Sequence, residues 1–228
     1  MEVAETVTNL LDQLPGTGSF IAMAVVLGLG PILAVIITSF LKISVVIMLL
    51  RNALGLQDVP SNLAINSLAL ILSMYIMAPV GWDIAQRLSE PEVDLGDITN
   101  TETQEAIGDS LEAIRGFLER NARDQHKEFF ATSARKLWGD ELGVDVQPDD
   151  LMVLIPAFTT SELSAAFEVA FLLYLPFIAI DLIVANILLA LGMIMLSPLT
   201  ISLPFKLLLF VVVDGWTRLL QSLILSYS

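Results

Sequence analysis

Long apolar runs alternate with turn-forming residues at both ends of the chain, and a polar stretch separates them. Residues 13–41 form an uncharged run of 29, against the roughly 20 residues that cross a bilayer. Gly28, Gly30 and Pro31 interrupt it. Pro31 lacks a helical donor and clashes with the preceding turn, so a kink or break is expected there. Residues 59–82 form a second uncharged run of 24. Between the runs, Gly55, Asp58 and Pro60 read as a turn, which makes the first half a helical hairpin. In the second half, Thr159 and Glu162 have capping-box spacing before an apolar run. A helix is expected from there to about Leu175, because Pro176 disfavours helix in the residue before it. The run resumes through Asp181 and Asn186 to Leu196. Residues 197–204, with two prolines, read as a turn. A last apolar stretch, 205–225, is broken by Lys206, Asp214 and Arg218. The pattern predicts an all-α protein of hydrophobic helical hairpins with nominally four transmembrane segments.

The middle is different. Residues 83–150 hold 17 acidic and 7 basic residues. Thr101 and Gln104 have capping-box spacing. Ile107, Leu111, Ile114 and Leu118 then recur at helical intervals, the pattern of an amphipathic helix. Phe129, Phe130, Leu137 and Trp138 extend that helix or start a second one, which Gly139 and Gly143 end. Pro148-Asp149-Asp150 starts another, with acid where the helix dipole favours it. The insert reads either as a small solvated helical subdomain or as a docking surface for a basic partner. Three parts result: an N-terminal tail and apolar hairpin (1–82), an acidic helical insert (83–150) and a C-terminal apolar hairpin (151–228).

Composition narrows the classes. Apolar residues make up 55 % and charged residues 16 %, where soluble domains average roughly 45–50 % and about 25 %. A disordered chain needs the reverse. With no cysteine there is no disulfide scaffold, thiol nucleophile or zinc finger. A net charge of −14 repels phosphate and argues against nucleic acid. The first 19 residues carry Glu2, Glu5 and Asp12 but no basic residue, so no signal peptide is expected. Lys42, Arg51 and Lys206, read as lying in short loops, favour those loops on the cytoplasmic side and the tail and insert outside.

Several features fit lipid poorly. Prolines 31, 60, 79, 176, 198 and 204 lie in or beside the apolar runs, as do Lys42, Glu168, Asp181, Lys206 and Asp214. A charge at the bilayer centre costs roughly 2.5–3.5 kcal/mol, and irregular backbone at that depth must be covered by protein or water. A multi-chain assembly follows. Little points to catalysis. His126, the only histidine, reads as a surface residue. Gly28-Leu29-Gly30 reads as a packing or kink site rather than a dinucleotide fingerprint. No acid cluster has EF-hand spacing. Asp181 and Asn186 read either as an ion-handling site or as a buried polar pair. Met193, Ile194 and Met195 read either as core filler or as a pliable ring at a pore.

Three stretches resemble one family. The first is the run Pro198-Leu199-Thr200-Ile201-Ser202-Leu203-Pro204-Phe205-Lys206, continuing to Asp214-Gly215-Trp216. The second is Pro156-Ala157-Phe158-Thr159-Thr160-Ser161-Glu162-Leu163, continuing to Glu168. The third is Thr38-Ser39-Phe40-Leu41-Lys42-Ile43 with Leu50-Arg51-Asn52-Ala53-Leu54-Gly55. They resemble the signatures of the bacterial type III export-gate proteins, the FliP/SctR family. Val169-Ala170 replaces the Ile-Gly common there. The resemblance covers both apolar halves, not the insert. Lys42, the run 71–79 and the lack of a signal peptide look more like the injectisome branch than the flagellar one.

The resemblance implies a non-enzymatic core subunit of an export gate in the bacterial inner membrane, without cofactor or metal. It implies about five copies closed into a ring with S-type and T-type subunits, inside a larger export apparatus, in contact with membrane lipid. Unfolded secreted proteins would be the substrates. Much of the gate would stand on the periplasmic side. The family's methionine-rich constriction falls on Met193, Ile194 and Met195. Lys42, Glu168, Asp181, Lys206 and Asp214 become candidates for contacts between subunits. The competing readings are an ion-coupled transporter or channel subunit using Asp181, and a scaffold for other gate subunits.

Overall fold

The computed structural model describes residue 28 and residues 30–89, 101–142 and 146–227. The expectations for the tail acids, for residues 13–27 and for Gly143 lie outside the described residues. The helices are α1 (Gly30–Ile37), α2 (Phe40–Ala53), α3 (Asn62–Leu88), α4 (Thr101–Asn121), α5 (Asp124–Leu142), α6 (Leu151–Ala190), α7 (Pro198–Val212) and α8 (Gly215–Leu225). No strand occurs among the described residues. The chain is all-α, as expected. Helices α3 and α6 are each long and apolar enough to cross a membrane, and the bent pairs α1 with α2 and α7 with α8 bring the number to as many as four.

Helix α6 is the spine, packed by α2, α4, α5 and α7. Its 40 residues give about 60 Å at 1.5 Å per residue, roughly twice the hydrocarbon thickness of a bilayer. This corrects the expected start at Thr159 and stop before Pro176. The N-cap is Asp150, in extended backbone, and its carboxylate accepts from the Gln147 N–H at 2.8 Å. Thr159 is already helical and donates its hydroxyl to the Ile155 carbonyl, so it caps nothing. Pro156 and Pro176 lie inside the helix. Each removes one backbone donor, and the surrounding helices hold the spine together across both.

The first turn forms as expected. Gly55 takes φ +81°, a conformation open to glycine. Ser61 accepts from the Ala64 N–H as the cap of α3, and Arg51 ties the turn by donating to the Pro60 carbonyl and to Asn62. Helix α3 continues past residue 82 to Leu88. The main core joins Ile43, Ile47 and Leu50 of α2 to Ile65 of α3, Phe177 of α6, Phe210 of α7 and Leu223 of α8. A second cluster places Phe117 and Leu118 of α4 against Leu154 and Phe158 of α6.

Four local expectations change. The sharp turn near the N-terminus, 72°, falls at Thr38-Ser39, where the Ser39 hydroxyl donates to Ser73 of α3 at 3.1 Å; Pro31 lies within helix. Gly28 and Gly30 are not packing sites, since a Cβ on either would meet no atom within 4 Å. In α4 the expected stripe holds only in part: Leu118 is buried and Ile114 packs against its cluster, but Ile107 and Leu111 are exposed, and Thr103, Ala106, Ser110 and Phe117 are inside. Helix α5 is a separate second helix, and Gly139 is helical instead of ending it.

Helices α7 and α8 meet at 61°, through Asp214 at φ +52°. Gly215 is required there: a Cβ would sit 2.3 Å from the Phe210 ring. Gly215→Ala is expected to cost about 1–3 kcal/mol through overpacking, read as a lower thermal midpoint in detergent. An unchanged midpoint would show that the Phe210 ring yields freely.

Candidate functional site

The link between α6 and α7 is short and its side chains point away from the chain. Leu191 caps α6 and Gly192 reverses the backbone at φ +74°. The Met193 N–H returns to the Leu188 carbonyl at 2.9 Å, and the Leu196 N–H closes onto Met193. Ser197 is extended and Pro198 opens α7, where its missing donor costs nothing. The turn therefore precedes the expected 197–204, and Pro204 is helical. Met193 is 43 % exposed, Ile194 81 % and Met195 100 %. These three side chains are not core filler within the protomer.

The charges buried in the apolar halves pair inside the chain. Lys42 of α2 approaches Glu162 of α6 at 3.5 Å, both almost fully buried. Tyr227 donates its hydroxyl to the other Glu162 oxygen. Its ring lies 4.2 Å below the Lys42 ammonium and stacks on Phe117. One cation, one anion and one ring thus tie α2, α4, α6 and the end of the chain together. Further along α6, Asp181 accepts from Lys206 of α7 at 2.7 Å and from the Ser202 hydroxyl. Lys206 also donates to the Ala53 carbonyl at the end of α2. Neither Lys42 nor Lys206 lies in a loop: both sit within helices, so two of the three cations used to orient the chain are bound internally. Asn186 is exposed and makes no hydrogen bond among the described residues, so it forms no pair with Asp181.

A third tie joins the insert to the spine. Arg123 grips Glu168 with two bonds of 2.9 and 2.8 Å. Hydrogen bonding to that carboxylate holds the Arg123 guanidinium above its ordinary pKa. The Arg123 N–H donates to the Ser161 hydroxyl, which in turn donates to the Ala157 carbonyl. His126 meets the same hydroxyl through Nδ1 at 2.7 Å, so it is half-buried rather than a surface residue. Asp214 accepts locally from Thr217. Sequence reading missed Arg123, Ser161 and Tyr227, and it saw Glu162 only as a cap. Lys42 and Glu162 are 120 residues apart, and no periodicity links them. Among the described residues no group of histidine and acidic side chains is arranged to hold a metal ion.

An apolar, exposed hairpin tip on a long spine, with the buried charges paired inside the chain, belongs to an all-α protein with two to four helices long and apolar enough to cross a membrane. The FliP family model matches residues 23–223. The chain is 50 % identical over 217 residues to "Yop proteins translocation protein R" of Yersinia pestis, covering 95 % of this chain and 99 % of that one. It is 44 % identical to "Hypersensitivity response secretion protein HrcR" of Ralstonia nicotianae, covering 92 % and 96 %. It is 43 % identical to "Virulence protein YscR" of Salmonella typhimurium, covering 91 % and 95 %. The chain belongs to the FliP family. It is a type III secretion export-gate protein with injectisome relatives, and a role in the export pore goes with that family. The family is a structural component of the secretion apparatus.

Removing one partner of the Lys42 and Glu162 pair leaves a buried charge alone. Lys42→Met is expected to destabilise the protein by about 3–5 kcal/mol, and adding Glu162→Leu to recover most of it. Denaturation of the purified protein in detergent measures both. A double variant as unstable as the single would show that packing, not charge, holds this junction.

Proposed function

We propose that about five copies of this chain close into a ring around an export pore, joined by S-type and T-type export-gate subunits within the larger apparatus. The hairpin tip carries the reading: Met193, Ile194 and Met195 are apolar and exposed, Ile194 and Met195 almost entirely so. Set around an axis, such tips make an apolar collar that excludes water and ions when closed. Methionine is unbranched and flexible, so the collar yields to an unfolded secreted protein. Ile194 stiffens the middle layer. A spine of about 60 Å suits a gate that rises beyond the hydrocarbon of the inner membrane, with much of it and the acidic insert on the periplasmic side. Lipid faces the apolar surface that other subunits leave open. The work is conformational, and this reading assigns no catalytic residue, cofactor or nucleic-acid contact.

In this reading the ion pairs shape the protomer. Lys42 and Lys206 are enclosed by their own chain. Contacts between subunits fall to partners that keep an open side: Glu168 and Asp214, which are exposed, and Asp181, which is partly so.

The test replaces Met193 and Met195 by alanine in the complex co-expressed with its S-type and T-type neighbours. Assembly, read by native mass, is expected to persist while ion leakage across the membrane rises and export changes. Unchanged leakage and export in an assembled complex would remove the constriction from these residues. A loss of assembly alone would favour a scaffold.

A further inference from the structure

We propose that Asp58 and Arg218 pair between neighbouring copies of this chain, joining two unlike faces of the protomer into the head-to-tail contact that closes the ring. The inference rests on the multi-copy reading above. Among the described residues of the apolar halves, most charges are already held. Lys42 holds Glu162, Lys206 holds Asp181 and Arg123 holds Glu168. Arg51 donates to Pro60 and Asn62, and Asp214 accepts from Thr217. Among the described residues of these halves, Asp58 and Arg218 are the charged side chains left without a hydrogen bond or ion pair, and both are exposed. They are of opposite sign, the complementarity that selects a partner and fixes register at an interface.

They also belong to different grooves. Asp58 borders a groove of about 790 Å³ that Tyr174, Ile178 and Asp181 line from α6. Arg218 borders an apolar groove of about 520 Å³ that Leu172, Pro176 and Phe177 line from the same helix. With 3.6 residues per turn and 1.5 Å of rise per residue, the two sets of α6 residues lie roughly 155° apart around the axis and about 4 Å apart along it. Two unlike patches of opposite charge, on nearly opposite faces and at similar height, suit a heterologous contact that propagates around an axis. A two-fold dimer instead needs one self-complementary patch. Exposed apolar side chains flank each charge, Val59 beside Asp58 and Val213 beside Arg218. Association would enclose the pair and leave it little screened by salt.

The chain has no cysteine, so introduced thiols read the contact without background. Asp58→Cys and Arg218→Cys are placed on separately tagged copies and co-expressed in membranes with the S-type and T-type subunits. Oxidation is expected to give a dimer carrying both tags, and neither variant alone should give one. As a second reading, Asp58→Arg and Arg218→Asp each lose the multi-copy complex, and the two together regain it. The native mass of the wild-type complex is measured alongside. A single copy per wild-type complex would overturn the ring and this pairing together. Three results would overturn the pairing and leave the ring. One is a multi-copy complex without the mixed-tag dimer. Another is a crosslink to the S-type or T-type subunit instead. The third is an Arg218→Asp complex that loses bound anionic phospholipid and is not regained by Asp58→Arg.

Discussion

A charge enclosed in apolar surroundings has to find a partner or be expelled, and this requirement organises the protein around α6. Two carboxylates along that helix, Glu162 and Asp181, answer enclosed cations, Lys42 of α2 and Lys206 of α7, and a third, the exposed Glu168, meets Arg123 between α4 and α5. Apolar packing is tolerant of sliding, because one leucine serves much like another. Ion pairs are not. Each pair fixes the height of one neighbour along the spine.

The tip of the α6–α7 hairpin is the other side of the same design. Where the spine is crowded, side chains are held by several helices at once. At the tip the chain leaves Ile194 and Met195 almost bare and covers Met193 only in part. The backbone there is nonetheless short and closed, through Gly192 and the bond from Met193 to Leu188. The hairpin is a closed backbone turn that presents apolar, flexible side chains. The exposed apolar surface of α6 and of the bent pair α7 with α8 leaves room for lipid and for further subunits.

Much of this was legible in the sequence. The uncharged runs and the compact acidic stretch announced apolar helical halves and a polar helical insert, because burial without water forces backbone hydrogen bonds to close within helices. The turn at 54–61 followed from glycine and proline chemistry alone. The signature runs pointed to the family.

Tertiary structure decided the rest, for physical reasons. Capping-box spacing at Thr159 and a proline at 176 are local signals, and local signals lost to a spine whose neighbours hold it continuous across both. Ile107 and Leu111 are as apolar as Leu118, yet Ala106 and Ser110 are inside and Ile107 and Leu111 are not. The charges at Lys42, Glu168, Asp181 and Lys206 were visible as misfits in apolar runs, but their partners were not. A residue's partner across a core depends on how helices stack, and no spacing along the chain encodes it. Sequence alone therefore determined which segments must be helical and apolar, and which charges must be answered. Only the packed structure decided who answers them, because a pair is made by distance in space and not by distance along the chain.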